Sequence, residues 1–505
     1  MKMTLKFHNT LTGNLDEFVS QVPGKVSLYT CGPTVYDAPH IGNWTAYIYW
    51  DILVRILIVN DYKVTRVMNI TDVGHLVSDA DTGEDKLEKG ARREGKTAWE
   101  VANHYTDLFL RDMKELNLIM PEHIAKATDF INEQLDFVRV LKEKGYTYQI
   151  DDGIYFDTSK FSKYADFAHL NLDEQQAGAR VEYNNQKRNI SDFALWKFSP
   201  ADEKRDMEWE TPGDLLEGGN WKVEDSETPN SNSQIPIAKM GFPGWHLECS
   251  TIAKTLLGDT LDIHTGGIDH IPVHHTNEIA QSESANGVRF SNYWLHNNFM
   301  NVDNSKISKS LGNGYTLSDI IKKGFSTTDF RMLILQGNYR SQMNFTFESL
   351  GAAQNRLKNW CAVAVLRHQI HDTLVSQSDM DDDHNIIPSY AVSGAIIEAI
   401  SNDLGTPEAL RIIDEAFTMI QSVGLNRINQ DSLIQLINTI DATLGLELAP
   451  STPDISDEAK QIIIERKNAR EQQNWKKSDE LRDQLNKIGI AIRDTNSDSI
   501  WEYQN

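Results

Sequence analysis

The run from Lys25 to Thr71 constrains this chain more than any other. It reads KVSLYT, then CGPTVYDAPHIGN, then WTAYIYWDILVRILIV, then NDYKVTRVMNIT. Val26 to Thr30 has the character of a short buried strand. Gly32, Pro33, Pro39 and Gly42 punctuate the next block and mark it as a turn. From about Asn43 to Val59 apolar residues recur near helical spacing, and Tyr62 to Ile70 reads as a second strand. A β-loop-α-β unit of this kind predicts an α/β fold with a parallel sheet. Its first loop, at the carboxyl end of a strand, is where such sheets bind ligands.

That loop carries three kinds of chemistry. Cys31 stands at the strand end, where a thiolate can hold a metal. His40 and Asn43 flank Ile41 and Gly42 at the helix entrance, and the free N–H groups and partial positive charge there suit a phosphate. Gly42 lets a nucleotide approach the backbone closely. Each piece has an ordinary alternative, since a histidine at a helix start often serves only as a cap.

With 505 residues, about three domains are expected. The 49 Lys and Arg against 73 Asp and Glu leave a net charge of −24, which argues against a generic polyanion binder and against DNA or an anionic membrane as partner. RNA stays open, because a local basic track suffices. Cys31, Cys249 and Cys361 are the three cysteines, with no CxxC, a reducing-compartment pattern. The N-terminal MKMTLKFHNT has no apolar core segment, and Ala46 to Val59, broken by Asp51 and Arg55, is too short to span a bilayer. A cytoplasmic protein is expected.

Downstream, Asn69-Ile70-Thr71-Asp72 places polar residues at the second strand's end, either to contact the same ligand or to form a turn and cap. Residues from about 88 to 145 read mostly as helices, with Val101, Tyr105, Leu108 and Leu110 as a core stripe. DGIYFDTSKF is strand-like, and GARVEYNNQKRNISDFALWK includes a polar loop. Asp202 to Met240, with SETPNSNSQIP at its heart, has the composition of a mobile loop. Gly241 to Leu257 reads as a turn entering a helix with Cys249 in its first turn, and LDIHTGGIDH as a strand ending in a Gly-Gly loop. His274 and Glu278, four apart, project from one face of a helix. Cys31, Cys249, His274 and Glu278 are all accepted zinc-ligand types. The alternative is two buried thiols and a surface helix. Lys306-Ile307-Ser308-Lys309-Ser310 is a basic loop whose two lysines could close over a triphosphate. No GxxxxGK[ST] motif is present, which excludes a Walker-type NTPase. Helical patterns dominate from Thr327, with Cys361 among them as a packed residue. After an acidic break a last module begins near Pro453, where basic residues interleaved with Trp475 offer either RNA contacts or a solvated helix.

The string CGPTVYDAPHIGN, followed far downstream by KISKS, resembles the HIGH and KMSKS signatures of class I aminoacyl-tRNA synthetases, and its fuller form is similar to their cysteine-specific family. The resemblance runs in patches through nearly the whole chain. It implies a Rossmann-like catalytic domain over 1–325, with an insertion at about 110–200, an expanded loop at about 202–240 and the KISKS loop at 306–310. A helical domain over 326–450 and an anticodon-binding module over 451–505 follow. It implies that Cys31, Cys249, His274 and Glu278 bind one Zn2+ that contacts the substrate thiol. Cys31, Thr71 and Trp245 would hold cysteine. His40, Asn43, Asp269 and Lys309 would hold ATP with Mg2+, and His40, Asn43, Lys306 and Lys309 would act in catalysis. Arg470, Trp475, Asp479 and Asp494 would read or support the anticodon of tRNA(Cys). A monomer is expected. A soft thiolate on zinc separates cysteine from serine better than a hydrophobic pocket could, so no editing domain is needed.

Several departures from the family pattern stand out. Gly74 to Gly83 is inserted before Glu84-Asp85-Lys86, Ile190 replaces a usual Pro, Phe242 a frequent Arg, and Pro272-Val273-His274-His275 a Phe-Pro-His-His. Two rival readings are a ligase that joins cysteine to an amino sugar, which lacks the tail at 453–505, and an RNA-binding paralogue with a decayed site.

Overall fold

The computed structural model describes residues 3–74, 76, 85–170, 184–200, 205–217, 239–308, 311–369, 387–494 and 499–504. Most of the 74–83 insertion, Glu84, the heart of the 202–240 loop, Lys309 and Ser310 lie outside the described residues.

The organising unit is β1 (Lys25–Thr30), α1 (Ile41–Val59) and β2 (Lys63–Ile70). α1 is apolar on nearly all sides, so it is buried on nearly all sides, from Trp44 through Leu57. Three strands complete the sheet: β3 (His123–Lys126), β4 (Leu261–Gly267) and β5 (Ser291–Asn297). The order is β5-β4-β1-β2-β3, every pairing parallel. The register sets Thr30 beside Thr265 on one side and Met68 on the other, so the loops after β1, β2 and β4 emerge together. β3 falls inside the stretch that reads as helical in sequence. The helices there are Lys86–Glu94, Ala98–Glu115 and Ile131–Glu143, and a four-residue edge strand slips between them.

A second, antiparallel sheet runs Thr147–Ile150, Gly153–Phe156, Phe193–Phe198, Met240–Pro243, Trp209–Glu210 in spatial order. The segment at Gly241, a turn by its sequence, is thus a strand paired on both sides. It delivers the chain to α2 (Trp245–Leu257). A wide turn, Ile271–His275, then leads into α3 (Thr276–Asn286).

Five helices follow, Thr327–Leu335, Phe347–Ala364, Ala391–Ser401, Thr406–Ser422 and Gln430–Leu444, and they share one continuous core with α1. At the junction Asp51 of α1 is wholly buried. It accepts hydrogen bonds from Arg55 Nε at 2.6 Å, from Ile119 N at 2.7 Å and from Arg331. The two guanidiniums also cap the carbonyl end of the last helix, Arg331 on Leu444 O at 2.6 Å and Arg55 on Asp441 O at 3.2 Å. Gly445 has φ +64°, and a Cβ there would stand 2.6 Å from Arg331 Nη2, so the joint closes only over glycine.

The C-terminal module pairs helices Asp457–Glu471 and Trp475–Lys487 with the hairpin Ile490–Asp494/Ser499–Tyr503. Trp501 is its buried anchor, exchanging backbone hydrogen bonds of 3.1 Å with the Gln369 amide. No described helix is long and apolar enough to cross a membrane.

Candidate active site and metal centre

His40 is the N-cap of α1. Its Nδ1 accepts from Asn43 N at 3.3 Å, while Asn43 Oδ1 accepts from His40 N at 3.1 Å, a reciprocal capping box. The KISKS segment comes to this same helix start. Ile41 N donates to Tyr315 O at 2.8 Å, and a Cβ on Gly42 would lie 2.8 Å from Ile307 Cδ1 and 3.1 Å from the His40 ring. The two signature loops, more than 260 residues apart in sequence, are therefore in contact. Lys306 is exposed on the short strand Ser305–Lys306. Asp269 is exposed just past β4 and folds back over Gly267, where a Cβ would meet Asp269 Oδ1 at 2.3 Å.

Cys31 follows β1, and its N–H donates to Thr265 O at 3.2 Å. Cys249 sits one turn into α2 rather than in its first turn, because the helix starts at Trp245. His274 lies in the wide turn before α3 and Glu278 within α3, yet their side chains meet, Nε2 to Oε1, at 3.4 Å. The donor atoms of Cys31, Cys249, His274 and Glu278 all lie within 4.8 Å of one another. A tetrahedral zinc with bonds of about 2.0–2.3 Å spaces its donors roughly 3.3–3.8 Å apart, so the set needs little adjustment. Glu278 also approaches His264 Nε2 at 3.1 Å, but neither of its oxygens makes a well-formed hydrogen bond. Such buried, unsatisfied acceptors beside two thiols suit a cation. Burial opposes a charged Glu278, but His264 and His274 outweigh it and hold the carboxyl well below its usual range. Burial likewise opposes a charged His274, but Glu278 and Cys31 push it up to about 10.

Two side chains of this cluster are not singled out by sequence. His264 and His275, with Cys31 and Glu278, form a second set of donors within the same 4.8 Å limit. His275 Nε2 is 3.3 Å from Cys31 Sγ, and its Nδ1 is 2.7 Å from His296 Nε2. A histidine inside a buried strand leaves no periodic signal, although the density of histidines from 264 to 275 was a usable one.

Trp245 lies against His274 with ring centroids 4.5 Å apart. Thr71 is locked to the first loop through Val35 N to Thr71 O at 3.2 Å and Thr71 N to Pro33 O at 3.0 Å. Its hydroxyl donates to Glu248. Burial pushes Glu248 up to about 8.

In the C-terminal module Asp494 gathers three arginines. Arg466 grips it bidentately at 2.9 and 2.8 Å, Arg470 at 2.9 Å and Arg482 at 2.8 Å. Arg466 is only 1% exposed and was not among the sequence candidates. Trp475 is 57% exposed with the Arg470 guanidinium 5.8 Å from its ring centre, and Asp479 is exposed on the same helix.

A parallel sheet whose strand ends hold a capped helix start, a basic loop in contact with it and a thiol-rich metal-type cluster has the architecture of a class I aminoacyl-tRNA synthetase. Solved structures of that class share the fold. Mycobacterium tuberculosis methionyl-tRNA synthetase in complex with methionyl-adenylate superposes with a TM-score of 0.58 at 14% identity, covering 83% of this chain and 92% of that one. A leucyl enzyme from Agrobacterium radiobacter K84 does so with 0.59 at 12%, covering 87% and 86%. The model of the tRNA synthetases class I (C) catalytic domain matches residues 17–226 and 218–355, and that of the cysteinyl-tRNA ligase anticodon binding domain matches 452–501. A cysteine–tRNA ligase of Treponema denticola is 38% identical over 99% of this chain and 100% of its own length. A cysteine–tRNA ligase of Burkholderia lata is 40% identical over 98% and 96%. The chain belongs to the cysteine–tRNA ligase family.

Proposed function

We propose that this protein is a cysteine–tRNA ligase. It activates L-cysteine with ATP and Mg2+ to cysteinyl-adenylate, releasing pyrophosphate, and then passes the cysteinyl group to the 2′-hydroxyl of the terminal adenosine of tRNA(Cys), with AMP as the leaving group. The observation that carries the reading is the convergence of Cys31, Cys249, His274 and Glu278 at the strand ends, next to the helix start bearing His40 and Asn43. Those four residues would hold a zinc ion, which supplies thiol-selective recognition when bound.

The chain's own groups do the rest. The cysteine carboxylate attacks the α-phosphate in line. His40, Asn43 and the N–H groups of the first turn of α1 meet the phosphates, and Lys309, with Lys306 helping to close the loop, offsets charge growing on the leaving pyrophosphate. Trp245 and Thr71 hold the amino acid and Asp269 the ribose. Positioning and electrostatics then supply much of the acceleration. In the C-terminal module Trp475 offers a stacking face and Arg470 and Asp479 hydrogen-bonding groups for anticodon bases, while Asp494, gripped by three arginines, supports them. The reading carries with it a monomeric, cytoplasmic enzyme.

The test is transfer of labelled cysteine to tRNA by the purified, zinc-replete chain. Charging of tRNA(Cys) alone is expected. Cysteine-dependent ATP–pyrophosphate exchange without charging would point to another acceptor, such as an amino sugar. Neither activity would refute the reading.

A further inference from the structure

Activating an amino acid requires the protein to hold three groups apart. The side chain goes to its recognition site, the carboxylate must reach the α-phosphate, and the ammonium needs a buried acceptor. Resting on the function proposed above, we infer that Glu248 receives the α-ammonium of the substrate.

Among the described residues, several carboxyl groups are buried around this end of the sheet, and three of them bear on the question. Glu278 faces His264 and His274. Asp72 spends both oxygens on Thr128, accepting from its N at 3.0 Å and its Oγ1 at 2.6 Å. Glu248 is different. It is 2% exposed, and its Oε1 accepts from the Thr71 hydroxyl and from Asn69 Nδ2 at 3.3 Å. Its Oε2 is buried with no partner among the described residues. A buried carboxyl oxygen without a donor is costly, and a ligand that supplies N–H groups and a positive charge removes that cost.

The surroundings fix the group rather than let it wander. Asn69 is itself held, accepting from Gly32 N at 2.8 Å, and a Cβ on Gly32 would stand 1.6 Å from Asn69 O, so the first loop closes directly on the end of β2. On α2 Glu248 follows Trp245 by three residues, so the two are neighbours on one helix face. Cys249 is the next residue. The acceptor thus shares its helix with the aromatic side chain and with a thiol of the metal-type cluster, and through Thr71 it is tied to the loop that leads to the start of α1. An oxygen left without a donor would distinguish an α-amino acid from a plain thiol acid.

The experiment compares wild type with Glu248→Gln, full-length and zinc-loaded. Three quantities are read: bound zinc per chain, KM for cysteine and for ATP in pyrophosphate exchange, and calorimetric affinity for cysteine and for 3-mercaptopropionate, which lacks the ammonium. Glutamine keeps the shape and the Thr71 contact but cannot ionise opposite the ammonium. The expected result is zinc unchanged, KM for ATP unchanged, affinity for cysteine lower by about 30-fold or more, and affinity for 3-mercaptopropionate changed by less than about threefold. Glu248→Asp, which keeps the charge, should recover part of the loss. Equal weakening of both ligands, loss of zinc, or a cysteine affinity within about threefold of wild type would each overturn the inference. Absence of cysteine-dependent exchange in the wild type would instead remove the proposed function, and this inference with it.

Discussion

Asp51 joins α1 to the helices that follow the parallel sheet, and Asp51→Asn tests how much that joint holds. The amide can still accept from Ile119 N, but its NH2 end then faces two guanidiniums, donor against donor. Two charge-assisted bonds are lost, from Arg55 and Arg331, and two positive charges stay buried. Breaking a buried pair from one side costs about 3–5 kcal/mol. The carbonyls of Leu444, Leu116, Asn117 and Asp441 still engage the arginines, which favours the lower end. The assay is urea unfolding followed by helix content. With a slope of about 3 kcal/mol per M, the main transition should fall by roughly 1 M. The sign with pH is also fixed. Burial alone would raise the Asp51 carboxyl, but Arg331 and Arg55 win and lower it. An unfolded Asp titrates near about 3.9, so just below that pH the unfolded chain binds more protons than the folded one, and stability rises with pH. The contribution is complete above that value and is lost as pH falls toward the lowered folded-state value. Wild type should therefore lose its advantage over the variant in acid. A midpoint shift under about 0.3 M at neutral pH, or an advantage that grows on acidification, would refute the argument.

Three further outcomes are expected. Cys249→Ser, or removal of metal with a chelator, should weaken cysteine activation far more than ATP binding, read as separate affinities; equal losses would count against a thiol–metal contact. Gly42→Ala drives a methyl into Ile307 and the His40 ring, so it should slow adenylate formation at least about tenfold while leaving urea stability within about 1 kcal/mol, and unchanged exchange kinetics would mean that the two signature loops need not meet. Trp475→Ala removes an exposed side chain, so stability should move by less than about 0.5 kcal/mol while KM for tRNA rises roughly 5- to 150-fold with kcat little changed, and a KM that stays put would assign Trp475 no stacking role.

The sequence made the catalytic frame readable because its signals there are local. α1 is apolar all round and bounded by turn residues, and its flanking strands are short apolar runs, so β1, α1 and β2 were found within a residue or two. What was lost is what depends on distant partners. His123–Lys126 has neither alternation nor β-branched enrichment, and pairing with β2 alone makes it a strand. Leu108 and Leu110, counted in a core stripe, are half-buried, while Phe109 between them is the buried residue of that turn. Arg466 sits on a charged helix that reads as solvated, and it is buried because Asp494, 28 positions later, returns on a hairpin to face it. The metal-type cluster was legible by residue type and not by geometry, since five segments must meet before Glu278 finds itself among His264, His274 and the two thiols.

The capping box of α1 has a consequence for how any anion is received. The box uses His40 Nδ1 and Asn43 Oδ1 as acceptors for the backbone N–H groups of the two residues, so the helix start is not a bare row of donors. On the function proposed above, a phosphate arriving at those N–H groups would exchange one set of hydrogen bonds for another. The resting helix is protected from fraying, and the ground-state complex is held less tightly than a count of contacts would suggest. On the function proposed above, groups already engaged in holding the helix would favour a ligand whose charge grows after docking, and a device of local folding would also serve selective stabilisation.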